Sequence, residues 1–346
     1  MSKFYFLKIQ RVVRETEQAV SVYFELPPKL KEAFDFTPGQ YVSLETQIEA
    51  QNVRRAYSIS STPEAAYLRV AFKKIANGVF SNFAYKHFKK GDIVKVFPPE
   101  GRFHLQTSSK YHIAFAAGSG ITPILSILTH GLKTQSTFKF LLVYGNKTAR
   151  DTLYLQELEQ LKAKYPDRFF VHYLFSREDS TLGKFGRIDS AWVAFYLKAY
   201  PEFKNPLFYL CGPYKMQMVV QEKLSALNFK PSQIFSELFF NPSQSKESTQ
   251  AMATQVRLKI TLDGVTQTLP ADREAPILET ALQAQLEPPY SCRGGICSSC
   301  IAKLTSGTAT MKTNQILTDA DIDEGLILTC QAYPTSDALS VDYDSV

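Results

Sequence analysis

The chain has 346 residues, of which 45% are hydrophobic, and it carries a net charge of +6 with a mean hydropathy of −0.16. These values are typical of a soluble globular protein of two or three domains, and no apolar run is long enough to cross a bilayer. The basic residues are scattered and no nucleic-acid-binding motif is present, so we expect neither a nucleic acid nor a membrane as a partner.

Residues 1–107 predict an antiparallel β-barrel. Six short segments are rich in β-branched and aromatic residues and are separated by turn signals such as Pro38-Gly39. These segments are 5–13, 19–26, 40–44, 56–60, 67–72 and 92–97. Six short strands in about a hundred residues are typical of a closed barrel.

Residues 108–240 predict a parallel sheet covered by helices on both faces. From Tyr111 onward, apolar strand-like segments alternate with helical ones. The predicted strands are 113–117, 138–144, 169–175 and 207–210, and the predicted helices are 123–132, 153–164, 191–200 and 215–227.

Residues 241–254 are polar and lack apolar periodicity, which predicts a flexible linker. The remaining residues, 255–346, predict a β-grasp domain that opens with a hairpin around Asp263-Gly264. We expect a helix over 276–285 with Pro276 in its first turn, and a second helix capped by Thr318. A final strand is expected to carry Cys330.

The distribution of charge differs between these modules. Residues 255–346 contain six Lys and Arg against twelve Asp and Glu, a net charge of −6, which leaves +12 on residues 1–254. An acidic module joined to a basic one is compatible with electrostatic docking between them, and equally with a simple drift of charge between domains.

Four of the five cysteines form one pattern. Cys292, Cys297 and Cys300 follow the spacing C-x4-C-x2-C, and Cys330 comes after twenty-nine further residues. This is the spacing of a plant-type [2Fe–2S] cluster, in which four thiolates hold two irons, and Gly294-Gly295 lets the backbone bend around it. A zinc site is the alternative, although zinc ligands usually come as two separated pairs. A Rieske cluster is excluded because no histidine lies beyond residue 254.

This cysteine usage also indicates a compartment. Only Cys211 lies outside the pattern, so a disulfide framework is not expected. Because the N-terminus also lacks an apolar signal-peptide core, we expect a cytoplasmic protein.

Two motifs in the barrel segment suit a flavin. On an extended strand, Arg55 and Tyr57 share one face and Ser58 faces the other way. A cation for the pyrophosphate, an aromatic plane for the ring and a hydroxyl near N5 are what FAD requires, although an ordinary barrel strand is the alternative. In 77–81, Gly78 opens a short helix whose first N–H groups suit a phosphate; a capped loop is the alternative.

Three motifs in the α/β segment suit a nucleotide. Gly118-Ser119-Gly120-Ile121-Thr122-Pro123 follows a strand and precedes a helix, where phosphates bind in open sheets, and we expect Thr122 at N-cap and Pro123 at N1. Cys211-Gly212-Pro213 also ends a strand, which places Cys211 at the carboxyl edge, unless it is simply a buried inert cysteine. Ser176-Arg177 follows another strand and suits a 2′-phosphate; a solvated loop arginine is the alternative.

In this order, these motifs resemble the ferredoxin–NADP⁺ reductase superfamily. The C-terminal plant-type ferredoxin pattern is similar to that of its oxygenase-reductase branch, and the resemblance covers essentially the whole chain. It implies a multidomain fold, with an FAD-binding barrel at 1–107, an NAD(P)-binding α/β domain at 108–240, a linker, and a ferredoxin-type β-grasp domain at 255–346.

The resemblance also implies a role for each motif residue. The implied FAD contacts are Arg55 at the pyrophosphate, Tyr57 on the isoalloxazine, Ser58 near N5, Gly78, Val79 and Ser81 at the phosphates, and Phe239 as a shield over the flavin. The implied coenzyme contacts are Gly118 and Gly120 in the phosphate loop, Thr122 near the nicotinamide and flavin, Cys211, Gly212 and Pro213 beside the nicotinamide, and Ser176 and Arg177 at the 2′-phosphate. Tyr57, Ser58, Thr122 and Cys211 would form the catalytic group, and Cys292, Cys297, Cys300 and Cys330 would hold the cluster.

The implied reaction is electron transfer from NADPH, favoured over NADH, through FAD and the [2Fe–2S] cluster to a partner protein. That partner is expected to be an iron-containing oxygenase of an aromatic catabolic system. A reductase that serves other acceptors and a non-enzymatic metal-binding scaffold are the two alternatives.

Overall fold

The computed structural model describes residues 4–239 and 255–346. The chain forms two compact units, one over Tyr5–Phe239 and one that contains residues 255–346. The predicted linker, 241–254, lies outside the described residues. Within the described ranges, no helix combines the length and the apolar character needed to cross a bilayer.

The larger unit begins with a barrel lobe of six antiparallel strands. They are β1 (Tyr5–Thr16), β2 (Ala19–Glu25), β3 (Tyr41–Ile48), β4 (Gln51–Ser58), β5 (Tyr67–Lys73) and β6 (Ile93–Val96), in the order β4-β3-β6-β1-β2-β5. Alternate side chains, among them Leu7, Val22 and Val42, form one apolar core. Ser60, two residues beyond edge strand β4, donates its N–H to Arg69 O of the other edge strand, β5 (2.8 Å), which brings the two edges of the sheet together. Helix α1 (Val79–His87) packs on this lobe.

The second lobe, called the nucleotide lobe, is a parallel sheet of six strands with helices on both faces. The strands are β7 (Tyr111–Ala117), β8 (Lys139–Asn146), β9 (Phe169–Phe175), β10 (Lys184–Phe185), β11 (Leu207–Cys211) and β12 (Ile234–Glu237), and the helices are α2 (Ile121–Thr134), α3 (Leu155–Lys164), α4 (Ser190–Ala199) and α5 (Tyr214–Ala226). Successive side chains of β7 enter opposite cores: Ala114 packs with α2 and α3, and Phe115 packs with α4 and α5.

The strand order of the nucleotide lobe is β10-β9-β8-β7-β11-β12. The order reverses between β7 and β11, and open α/β sheets bind ligands at the carboxyl ends of the strands at such a reversal. The predicted strands and helices are present within a few residues of their expected ends. Strands β10 and β12 were not predicted, because two and four residues are too short to show a period.

The second unit is a β-grasp fold. Its strands are β13 (Gln255–Leu262), β14 (Val265–Asp272), β15 (Ile301–Ser306), β16 (Ala309–Met311), β17 (Leu326–Leu328), β18 (Ala332–Pro334) and β19 (Ala338–Asp342), and its helices are α6 (Ile277–Gln283) and α7 (Asp319–Asp323). Five strands form one sheet, β14-β13-β19-β15-β17, and β16 pairs with β18. The hairpin turn has left-handed φ values at Asp263 (+53°) and Gly264 (+74°), as expected for this dipeptide.

Two expectations for the β-grasp unit were wrong in detail. Cys330 does not lie on a strand: it occupies a turn between β17 and β18, in which Gln331 N–H donates to Leu328 O (2.8 Å). Pro276 is the N-cap of α6 and lies before its first turn, because its ψ of 147° is extended. Thr318 caps α7 as predicted, since its Oγ1 accepts a hydrogen bond from Asp321 N–H.

Candidate functional site

The predicted flavin residues lie at the end of β4. Arg55 and Tyr57 pair with Leu44 and Val42 on β3, and they alternate with the buried Arg54. The Arg55 side chain is exposed, although one N–H group donates to the Arg54 carbonyl (2.6 Å). The half-buried Tyr57 ring is held edge-on by Phe72, with ring centres 4.4 Å apart. The strand therefore offers a solvent-facing guanidinium and an aromatic ring in a fixed orientation.

The start of α1 forms a small polar cradle. Gly78 is the N-cap, and the preceding Asn77 has a left-handed φ of +59°. Ser81 Oγ is buried and has no hydrogen-bond partner among the described residues. A Cβ on Gly78 would lie 2.6 Å from that oxygen, so any larger residue would fill the space. A buried hydroxyl and the N–H groups of Val79 and its neighbours at a helix start fit a phosphate of FAD.

A buried carboxyl group joins the two lobes beside the flavin residues. Ser58 Oγ donates to Glu237 Oε2 (2.9 Å), and Glu237 ends β12 in the nucleotide lobe with 9% exposure. Burial raises the pKa of Glu237 to about 8, and the bond from Ser58 opposes this rise. The carboxyl group is therefore largely protonated at neutral pH and can hold a proton next to Ser58.

Cys211 ends β11 beside this carboxyl group. It pairs with Ala116 of β7 and with Glu237 of β12, at the carboxyl edge of the sheet where the sequence placed it. Its thiol is fully buried, and burial raises its pKa well above the ordinary value, with Glu237 contributing. Gln217 Nε2 donates to the carbonyl groups of Gly212 (3.0 Å) and Glu237 (2.7 Å), which fixes the loop Gly212-Pro213.

The predicted phosphate loop is a single 3₁₀ turn, Gly118–Gly120, between β7 and α2. Thr122 and Pro123 are not N-cap and N1 as expected, because α2 already begins at Ile121 and Gly120 is its N-cap. The Thr122 hydroxyl instead donates backward to Ser119 O (3.0 Å) and is buried. A Cβ on Gly120 would lie 2.1 Å from the Cys211 carbonyl oxygen, so glycine is required for this loop to rest against β11.

Lys73, at the end of β5, adds a cation to this loop. Its Nζ lies 3.6 Å from the position that a Cβ on Gly118 would occupy. Burial lowers the pKa of Lys73 and nearby Lys147 lowers it further, whereas Asp151 opposes the change. A helix start with an adjacent ammonium group suits an anionic ligand. Sequence reasoning missed Lys73 because the barrel and the loop are distant in the chain.

Ser176 and Arg177 follow β9 at the same edge of the sheet. Ser176 N–H and Oγ both donate to Asn146 O (3.0 and 3.3 Å), and the Arg177 side chain is exposed. The neighbouring Glu178 is turned away, because its Oε2 accepts a hydrogen bond from Ala149 N–H (2.7 Å). On the adjacent β10, Phe185 is 62% exposed. This edge presents an exposed guanidinium in the segment after β9 and an exposed aromatic ring on the neighbouring strand β10.

Phe239 is 42% exposed and lies two residues beyond Glu237, near the end of the first described range. The adjacent Phe240 lies outside the described residues.

The four patterned cysteines are neighbours in the β-grasp unit. Contact between the thiols of Cys292 and Cys297 lowers the pKa of the first and raises that of the second. Contact with Cys292 and Cys300 raises the pKa of Cys330. Gly294 N–H donates to Cys292 Sγ (3.3 Å), a backbone bond to a ligand sulfur. Four adjacent thiols with such a donor fit a thiolate-bound [2Fe–2S] cluster.

Backbone bonds bring the distant fourth ligand to the loop. Thr329 N–H and its hydroxyl both donate to Cys300 O (3.1 and 2.9 Å), so the turn that carries Cys330 is fixed to the third ligand. Gly295 has φ of +71°, and a Cβ there would lie 2.6 Å from Thr313 O. The predicted need for glycine in the ligand loop is therefore met at Gly295 by both conformation and space.

Comparison with known proteins supports the same three modules. Family models match an oxidoreductase FAD-binding domain at residues 7–105, an oxidoreductase NAD-binding domain at 115–222 and a 2Fe-2S iron-sulfur cluster binding domain at 260–335. One of the subunits of 1,2-phenylacetyl-CoA epoxidase from Escherichia coli K12 is 34% identical over 354 residues, covering 100% of this chain and 99% of the relative. This chain belongs to the ferredoxin–NADP⁺ reductase superfamily, in the branch with a [2Fe–2S] domain.

Other relatives of this reductase serve different oxygenases. The ferredoxin reductase component of 3-ketosteroid-9-alpha-monooxygenase from Mycobacterium tuberculosis is also 34% identical, covering 98% of this chain and 95% of the relative. The structure of phthalate dioxygenase reductase covers 98% of both chains with a TM-score of 0.62 at 23% identity, which shows the fold alone. The predicted family, the fold class and the classification as an oxidoreductase are confirmed.

Within the reductase, the predicted residues converge at two places. Ser58 donates a hydrogen bond to Glu237, and Cys211 pairs with Glu237 on the neighbouring strand, so the two predicted residues share this one partner. The four cysteines meet in the β-grasp unit. Glu237, which joins the first group, was not predicted. Its signal is a single acidic residue inside the apolar run 234–240, and such a residue needs a buried partner.

Proposed function

We propose that this reductase takes electrons from NADPH and delivers them to the oxygenase of a phenylacetyl-CoA epoxidase-type system. The observation that carries the choice of partner is the coverage of the match to the epoxidase protein, which is 100% of this chain and 99% of the relative, against 98% and 95% for the steroid reductase at the same 34% identity. That the chain is the reductase component of an oxygenase is shown by its relatives, and the acceptor and the coenzyme are the parts proposed here. The thiol-rich cluster loop and the use of NADPH suit the cytoplasm.

Arg55 and Tyr57 would hold FAD, with Gly78, Val79 and Ser81 at its phosphates, and the four cysteines would hold the cluster. When bound, these groups supply the conversion of a two-electron hydride transfer into single-electron steps. The chain itself binds and orients them. Gly120 allows the phosphate loop to pack against β11, and Lys73 adds a positive charge to that loop. Glu237 holds a proton at its carboxyl group beside Ser58.

The preference for NADPH is supported by the residues that follow β9. A guanidinium can bind a 2′-phosphate with two parallel bonds, and the carboxylate of the neighbouring Glu178 is bonded to Ala149 N–H. Charge-assisted bonds of about 1.5–3 kcal/mol each correspond to a preference of roughly tenfold to a hundredfold over NADH. The exposed ring of Phe185 provides a plane on which an adenine can stack.

Arg177→Ala tests the choice of coenzyme. The substitution should raise KM for NADPH by roughly tenfold to a hundredfold and leave KM for NADH within about twofold, because only NADPH carries the phosphate. Lys198→Ala removes the same charge from the far end of α4 and is the matched control. A wild type that prefers NADH, or a variant that loses both coenzymes equally, would contradict the assignment.

Reconstitution tests the choice of partner. The purified reductase is supplied with NADPH and with the oxygenase components of either phenylacetyl-CoA epoxidase or 3-ketosteroid-9-alpha-monooxygenase. The 34% identity to both reductases makes the second the specific competitor. Coupled formation of the epoxide at least tenfold faster than hydroxylation of the steroid supports the proposal, and the reverse order or equal rates contradict it.

A further inference from the structure

Strand β4, which carries Arg55 and Tyr57, is called the flavin strand. Its last residue and the segment that follows it are bonded to three separate elements of the nucleotide lobe. Ser58 bonds to Glu237 on β12, and Ser60 Oγ shares a hydrogen bond with the Tyr154 hydroxyl at the start of α3 (3.1 Å). The Ser61 carbonyl accepts a hydrogen bond from Ser126 Oγ on α2 (2.6 Å). The end of the strand that carries Arg55 and Tyr57 is thus fixed at three points to the lobe that carries the phosphate loop.

Arg69 of β5 is the centre of this contact. Its guanidinium is buried, and two of its N–H groups donate to Glu157 of α3 in a bidentate pair (2.8 and 3.2 Å). Two more donate to the hydroxyl and carbonyl of Ser60 (3.0 and 2.8 Å), and the fifth points to the Tyr23 hydroxyl (3.4 Å). All five donors of the guanidinium are therefore used, and they connect Ser60 to α3.

Tyr154 is held in a strained conformation at the same place. Its φ of +58° is left-handed, a backbone conformation that residues other than glycine rarely adopt. Its buried hydroxyl bonds to Ser21 and Ser60, and the Arg69 guanidinium lies 4.7 Å from its ring centre. Since the surrounding contacts hold this conformation, the contact between the lobes has a single defined geometry.

We propose that Arg69 and Glu157 are positioning residues for hydride transfer. Their ion pair fixes the flavin strand relative to the coenzyme-binding edge, and so sets the distance between the two reacting rings. This role rests on the proposed function for the identity of the reaction. Hydride transfer requires reacting atoms about 3–3.5 Å apart, and a misplacement of about 1 Å can slow a reaction about a hundredfold.

Glu157→Gln tests this role with little change of shape. The amide keeps one acceptor but turns an N–H group toward Arg69, so one of the two parallel bonds is lost. In anaerobic stopped-flow reduction of the flavin, the limiting rate at saturating NADPH should fall about tenfold to a hundredfold. The NADPH concentration at half-saturation and the flavin content should stay within about twofold, because no proposed cofactor contact is removed.

Two further variants separate positioning from stability. Glu159→Gln makes the same change two residues away on α3, where the carboxylate bonds to Tyr173 and Lys162 of its own lobe, and it should keep the wild-type rate. The double variant Arg69→Met/Glu157→Leu removes both charges of the pair together, while Arg11 remains as a cation facing the half-buried Glu15. Its unfolding temperature should therefore fall by less than that of Arg69→Met alone, while its limiting rate stays low.

The outcomes are distinguishable. A wild-type flavin that NADPH and NADH both fail to reduce would overturn the proposed function and this inference together. A wild type that is reduced normally, with an unchanged limiting rate in Glu157→Gln, would overturn this inference alone. The same follows if the rate of the double variant returns to that of the wild type.

Discussion

The buried carboxyl group of Glu237 should make the stability of the larger unit depend on pH. Burial raises its pKa from the ordinary value of 4.5 to about 8. The folded protein therefore binds this proton more tightly than the unfolded chain does. The contribution of this proton to the free energy of unfolding is complete below pH 4.5 and is lost as the pH rises through about 8.

The size of the effect follows from the two pKa values. At about 1.4 kcal/mol for each pH unit between them, ionisation of Glu237 costs on the order of 5 kcal/mol at high pH. In a unit of this size, 1 kcal/mol moves Tm by about 2–4 °C. Glu237→Gln keeps an acceptor for Ser58 but cannot ionise. We therefore expect the Tm difference between Glu237→Gln and the wild type to be larger at pH 9 than at pH 5 by about 10 °C or more.

The increase in flavin fluorescence on heating, as the flavin leaves the protein, reports the unfolding of the unit that carries Glu237. Because a protein with several cofactors does not unfold in a two-state manner, the quantity to compare is the difference in apparent Tm between variant and wild type at each pH. Glu222→Gln, an exposed substitution on α5, is the control and should show no such trend. A difference for Glu237→Gln that stays constant from pH 5 to pH 9 would refute the raised pKa.

Two further predictions concern cofactor binding. Arg55→Ala should purify with markedly less FAD, because it removes the cation proposed for the pyrophosphate. The control Lys8→Ala, on β1, should keep the wild-type flavin content. FAD content and affinity in Arg55→Ala equal to those of the wild type would show that Arg55 does not bind FAD. Gly120→Ala should raise KM for NADPH and for NADH by about tenfold or more and retain FAD, because the added Cβ forces the loop away from Cys211 O. An unchanged KM in steady-state assays would show that the loop does not contact the coenzyme.

Local sequence patterns predicted much of the architecture. The strands of the barrel and the alternation in the nucleotide lobe are visible as periods in the sequence, and C-x4-C-x2-C-x29-C specifies a ligand set through its spacing alone. The need for glycine at Gly295 was predicted from the bend of the backbone, which its left-handed φ of +71° bears out, whereas the lack of room for a side chain at Gly78 and Gly295 was not predicted.

What sequence reasoning missed depends on contacts between distant residues. Ser58 and Glu237 are 179 residues apart, and Arg69 and Glu157 are 88 apart, so no local pattern links them. The cap of α2 was misplaced because the 3₁₀ turn at Gly118–Gly120 takes the place of a side-chain cap. Cys330 was assigned to a strand, whereas it lies in a turn closed by the bond from Gln331 N–H to Leu328 O and fixed by the bonds of Thr329 to Cys300 O.

We propose that electrons leave the flavin through the cluster held by four cysteines. Cys297→Ser tests it directly, because serine keeps the size of the side chain but removes a thiolate ligand. The variant should lose most of its iron and acid-labile sulfide and retain FAD. Its NADPH-dependent reduction of ferricyanide, which accepts electrons from the flavin, should stay within about twofold of the wild type, and its reduction of cytochrome c should fall about tenfold or more. Wild-type iron content, or cytochrome c reduction at the wild-type rate in a protein that has lost its iron, would contradict the account.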